Sequence, residues 1–183
     1  MGIEGPPIEN DSVESEPNPI VDELLEMAEK DQEMRARAEE TNFEEWDESV
    51  DIANTERMKQ IIEEIGWPTV SKVGQEAANN AWLLVQHADH DPPFHEMCLG
   101  LMEESAEGDV DKGDMAYLID RVRVNTGREQ LYGTQFGDNE SGEYGVRPVE
   151  NIEELNQRRE EVGLEPFEDY ERHMLDGYSN KEE

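Results

Sequence analysis

The sequence predicts an all-α single domain of six or seven helices around one core, with one long glycine-containing loop. Three observations lead there. Apolar residues recur at helical spacing in most segments. Residues suited to helix starts and stops fall between those segments. No alternating apolar–polar run of strand length occurs, nor any internal repeat.

The elements follow in order. Residues 1–18 are rich in Glu, Pro and Ser and are expected to form a disordered acidic tail. Asn18-Pro19 opens the first helix, because Pro fits the first helical turn, and Val21, Leu24, Leu25 and Ala28 form its stripe. The pattern weakens over Glu39–Asp51, where Phe43 and Trp46 are expected to anchor a loop. Asn54 is the expected N-cap of a second helix carrying Met58, Ile61, Ile62 and Ile65, which Gly66 and Pro68 stop. A helix over about Val73–His87 has little polar surface and should be central. Asp91-Pro92 then caps a helix bearing Phe94, Met97, Cys98, Leu101 and Met102. Asp111 with Asp114 caps the next, whose stripe is Met115, Leu118, Ile119 and Val122. Residues 128–149 hold four glycines and no helical period, so they read as the long loop. Asn151 with Glu154 resembles a capping box, and Pro166 opens a last helix with Phe167, Tyr170 and Met174. The expected domain covers residues 19–176, followed by a polar tail at 177–183.

Composition narrows the setting. The 48 acidic against 15 basic side chains give a net charge of −33. Only five residues are lysine, half the number of arginines. Such a coat suits molar salt, where the Debye length falls to about 3 Å and repulsion among carboxylates is screened. Its sign disfavours direct binding to nucleic acid or to an anionic membrane. No stretch approaches the length of a membrane span, no secretory leader is recognisable at the N-terminus, and the single Cys98 forms no intrachain disulfide. The expected compartment is the cytoplasm. No feature indicates a particular cofactor or oligomeric state.

Two stretches carry residues suited to chemistry. Gln86–His95 packs His87, Asp89, His90, Asp91 and His95 into ten residues. These are metal-ligand types, but the spacing matches no established metal pattern, and the expected site uses no metal. Instead His87 is the candidate general base, with Asp89 or Asp120 as the carboxylate that orients it. The second stretch, Arg121–Gly137, has net charge +2 inside the acidic chain. Arg121 and Arg128 are candidate clamps for a carboxylate or phosphate, and Gln86, Gln130, Tyr132, Thr134 and Gln135 are candidate polar contacts. Together these residues predict a pocket for a small anionic or polar molecule, with hydrolysis or group transfer as the fitting chemistry. The alternative is a non-catalytic interaction or structural module in which the same polar set holds a loop. Cys98, on an apolar stripe, is expected to be a buried and inert thiol.

The runs GWPT, WLLVQHAD, DRV and QLYGTQ, within Asn54–Phe136, resemble the bacterial and archaeal domain of unknown function numbered 6624. The likeness extends to RRxxxGLxPxxxY, present as Arg158, Arg159, Gly163, Leu164, Pro166 and Tyr170. The resemblance implies no particular activity. Its motif residues fall on Trp67, Pro68, Gly74, Trp82, Gln86, His87, Asp89, Asp120, Arg121, Gln130, Tyr132, Gly133, Thr134 and Gln135. It also implies that Gln commonly stands where this chain has His95, which favours His87 with Asp89 over a three-histidine site.

Overall fold

A computed structural model describes residues 18–139 and 142–179. The expected N-terminal tail, apart from Asn18, and the last residues of the expected C-terminal tail lie outside the described residues. The protein is mostly helical, as expected. Eight α-helices are described: α1 (Pro19–Glu40), α2 (Glu48–Ile65), α3 (Val70–Val73), α4 (Gln75–Gln86), α5 (Pro92–Glu103), α6 (Lys112–Asn125), α7 (Leu155–Glu161) and α8 (Phe167–Ser179). α8 therefore runs three residues past the expected domain end.

The helix α4 lies between α1 and α2 on one side and α5 and α6 on the other. Leu24, Met58, Ile61, Leu84, Val85, Phe94, Cys98 and Leu118 meet around it, all nearly or wholly removed from water. Burial pushes the Cys98 thiol up to about 12, so the thiol stays protonated and inert. Caps read from sequence form as expected at three helices. The side chains of Asn18, Asp91 and Asp111 accept from the backbone N–H groups of Ile20, Phe94 and Asp114.

Four local expectations are corrected. Asn54 does not cap α2. Asp47 does, accepting from Ser49 N at 3.0 Å, and Asn54 is buried two turns inside the helix. The weak pattern over Glu39–Asp51 thus concealed the helix start, because its core-facing residue there is Asp51 rather than an apolar one. The expected helix over Val73–His87 is two, since Gly74 adopts φ +79° and separates α3 from α4. The long loop contains a two-stranded antiparallel sheet, β1 (Phe136–Asp138) with β2 (Tyr144–Val146), in which Gly137 faces Gly145. Three-residue strands are too short to show an alternating signature. Asn151 adopts φ +45° and makes no side-chain cap; a 3-10 turn at Ile152–Glu154 leads into α7 instead.

The core also encloses His95, which is fully buried. Its Nε2 lies 2.7 Å from the Val85 carbonyl oxygen, which only accepts, so Nε2 carries the hydrogen. Nδ1 is left without a partner among the described residues. Burial holds the imidazole below its usual pKa despite the Val85 contact. An unfolded chain takes up this proton near pH 6.5, and the folded one only at lower pH, so acid favours unfolding. We expect stability to fall as pH drops below about 6.5, and a His95→Gln variant, which keeps a donor for Val85, to lose less. Urea unfolding at pH 7.5 and pH 5 checks this; equal losses in both proteins would contradict it.

Candidate functional site

The two chemistry-bearing stretches meet in space through Asp89 and Arg121, but the carboxylate on His87 is not one that the sequence suggested. His87 ends α4, and its orienting carboxylate is neither Asp89 nor Asp120. It is Asp31, on the core face of α1 and wholly removed from water. Nδ1 of His87 lies 3.1 Å from Asp31 Oδ1 and 3.0 Å from Oδ2. Arg35, one helical turn beyond Asp31, donates from Nε to Asp31 Oδ2 at 3.1 Å and from Nη2 to Asp51 Oδ1 at 2.6 Å. α1, α2 and α4 are tied together at this one point.

Burial alone would raise the Asp31 carboxyl, but hydrogen bonds from His87 and Arg35 overcome it and hold it at about 2. Asp51 goes the other way. Burial raises it, against the attraction of Arg35. Arg35 Nε also lies 3.0 Å from His87 Nδ1, so two arrangements of the hydrogens compete. An unprotonated Nδ1 would point its lone pair at two carboxylate oxygens. The Arg35 N–H has Asp31 as another acceptor. We therefore assign the hydrogen to Nδ1, which leaves the Nε2 lone pair free to act. Nε2 has no hydrogen-bond partner among the described residues.

One ligand atom from each of Asp31, Asp51 and His87 lies within 4.8 Å of the others, a spacing that suits a metal ion. The Arg35 guanidinium already meets all three groups. It supplies the positive charge there, and a metal would have to displace it.

The dyad opens onto a cleft of about 310 Å³ walled by Arg35, Trp46, Glu48, Asp51, His87, Asp89, His90 and Arg121. Arg121 reaches it through a bidentate pair with Asp89, Nε to Oδ1 at 2.8 Å and Nη2 to Oδ2 at 2.6 Å. Asn125 adds a third donor to Asp89 at 3.0 Å. Burial would raise Asp89, but Arg121 and Asn125 keep it below the usual carboxylate range. Of the residues expected in a site, His87, Asp89 and Arg121 thus share one cavity. Arg35, Trp46, Glu48 and Asp51 line it as well, and Asp31 stands buried behind His87; sequence reasoning did not select these five.

The other expected contacts, apart from Gln86 and Arg128, form a closed hydrogen-bonded unit away from this cleft. Asp120, fully buried on α6, cannot orient His87 because its oxygens face the loop after that helix. Oδ1 accepts from Leu131 N at 2.6 Å and Tyr132 N at 3.1 Å, and Oδ2 accepts from Thr134 N and Thr134 Oγ1, each at 3.0 Å. The buried Gln130 donates to the carbonyls of Gln135 and Arg147 and accepts from Gln135 N. Gln135 bridges outward. Its amide donates to Thr134 Oγ1 at 3.0 Å, and its oxygen lies 3.4 Å from Arg121 Nη1.

The loop's carbonyls are met from α7 and α8. Arg158 donates to Leu131 O, Arg159 to Tyr132 O, and the Tyr170 hydroxyl to Thr134 O. Gly133 takes φ +66°, and a Cβ there would stand 3.0 Å from the Phe167 ring. Gln86 is buried in the helix packing. With its oxygen turned inward, it accepts from Trp82 Nε1 at 3.2 Å and Leu118 N at 3.0 Å. Arg128 is exposed and donates to Thr126 Oγ1, beside a separate hollow.

Replacing Asp120 by Ala strands three backbone N–H groups and a hydroxyl. We expect a loss of at least about 3 kcal/mol, at 1–3 kcal/mol per stranded buried group. Urea unfolding measures it, and a loss under about 1 kcal/mol, as for an ordinary surface change, would contradict the closed unit.

No helix among the described residues is long and apolar enough to cross a membrane. No curated protein and no solved structure matches this chain. The pattern of one family, described as a family of unknown function (DUF6624), matches residues 18–183; the chain belongs to that family.

Proposed function

We propose that the protein binds a small polar molecule in the Asp31–His87 cleft and acts on it by proton transfer, as a hydrolase or transferase with His87 as general base. The observation that carries this reading is the pinned Nδ1. A carboxylate held ionised behind an imidazole fixes its tautomer and orientation and stabilises the imidazolium formed when Nε2 takes a proton. Asp89 and Arg121 form the facing wall and position the molecule. Of the anionic and polar ligands that the sequence allowed, the lining favours the uncharged one. Glu48, Asp51 and Asp89 stand against Arg35 and Arg121, and both guanidinium groups are already committed to carboxylates.

A panel of neutral amides, esters and glycosides tests the reading. His87→Asn should slow turnover of an accepted substrate by about 10²–10⁴-fold, the usual weight of a general base, with the fold intact by circular dichroism. Turnover unchanged in that variant would refute it. A second reading, a non-catalytic interaction module, is favoured by one observation: most of the expected polar contacts hold the loop after α6. Absence of turnover of any panel member by the native protein would support that reading instead.

We also propose that the acidic coat adapts the protein to a salt-rich cytoplasm. The support is the −33 net charge and the scarcity of lysine. Screening at molar salt removes repulsion that opposes folding in dilute buffer. The melting temperature should therefore rise steadily from dilute buffer to 2 M KCl, and a flat series would contradict the proposal.

A further inference from the structure

The cleft has one aromatic wall. Trp46 stands in the turn between α1 and α2, where Asn42 and Phe43 take the left-handed φ values of +51° and +65°. The Arg35 guanidinium lies over the indole at 4.9 Å, yet the residue keeps 40% of its surface exposed. The remaining walls are polar and carry both signs of charge.

Three features limit what can settle there. Glu48, Asp51 and Asp89 in the lining, with both guanidinium groups already paired to carboxylates, disfavour an anion at contact range. A cation already occupies one side of Trp46, which makes a second cation on that ring unfavourable, whereas dispersion contact with a neutral ring is unaffected. The lining offers carboxylates that only accept and guanidinium groups that only donate.

A ligand meeting all three is uncharged, has one apolar face, and carries around its edge groups that both donate and accept. Hydroxyls do both; a planar base has few edge groups, each of fixed sense, and two apolar faces that call for a second stacking surface. From this juxtaposition of one Trp platform with a ring of carboxylate, guanidinium and imidazole groups, we infer that the cleft takes a neutral saccharide. Its C–H face lies on Trp46, and its hydroxyls are shared among Glu48, Asp51, Asp89 and Arg121. A cleft of about 310 Å³ accommodates one or two sugar rings. The inference rests on the reading of the His87 cleft as a ligand site and names the ligand's class.

Saturation-transfer NMR and calorimetry on the full chain in 2 M KCl test it. The probes are glucose, galactose, N-acetylglucosamine, maltose and trehalose, with adenosine and guanosine as the planar alternatives. At least one sugar should bind saturably, with transfer strongest to the C–H protons of one ring face. Trp46→Ala should weaken it at least tenfold, and Trp46→Phe, which keeps a platform, by no more than about threefold. Because Trp46 is exposed, loss of binding in the Ala variant can be separated from unfolding by its melting curve.

Absence of sugar binding, sugar binding indifferent to Trp46→Ala, or Trp46-dependent binding of a nucleoside alone would each overturn the assignment. His87-dependent turnover that ignores Trp46→Ala would overturn it too and leave the His87 reading standing. Trp46-dependent sugar binding without His87-dependent turnover would uphold it and remove the catalytic reading.

Discussion

The Asp31 carboxylate sets the terms for the rest of the structure. An ionised group wholly removed from water is strongly destabilising unless paired and hydrogen-bonded. Here the donors come from two elements. Arg35 follows it on α1, and His87 ends α4. Arg35 then reaches on to Asp51 of α2. Satisfying one buried charge thus fixes three helices against one another and holds an imidazole with one nitrogen committed and the other open to a cleft. The same contacts that stabilise the fold define the site's chemistry.

A second buried carboxylate organises the other half of the molecule. Asp120 gathers the backbone of residues 131–134, and Arg158, Arg159 and Tyr170 close the loop from outside. The runs DRV, QLYGTQ and RRxxxGLxPxxxY of this sequence are therefore partners in one hydrogen-bonded unit. The adjacent Arg121 points the other way, to Asp89, and so connects that unit to the cleft. The basic island in an acidic chain reads in this light as a scaffold with one arm in the site.

Helix positions were largely legible, because stripes such as Met58–Ile61–Ile62 and caps such as Asp91 and Asp111 are local signals. The site was legible in part. His87, Asp89 and Arg121 stand out as chemistry-bearing residues near turns. Asp31 and Asp51 did not, although each occupies an apolar-face position: Asp31 lies seven residues after Leu24, and Asp51 seven before Met58. A carboxylate on the buried stripe of a helix was the available signal, and in a chain with 48 acidic residues it is easily taken for coat. Asp120 and Gln130 were misleading for the opposite reason. Polar residues unsuited to a core suggest a ligand, whereas here they replace water for a loop's own backbone. The short β1–β2 pair left no periodic trace.

The central claim is that Asp31 holds the His87 hydrogen on Nδ1 and leaves Nε2 bare. Long-range proton–nitrogen correlation NMR on uniformly ¹⁵N-labelled protein reads both ring nitrogens directly, with His87 assigned by comparison with His87→Asn. For neutral His87 the account predicts a protonated Nδ1 and an unprotonated Nε2, with the preference lost in Asp31→Asn. A hydrogen on Nε2 in the native protein, with Nδ1 accepting from Arg35, would contradict it.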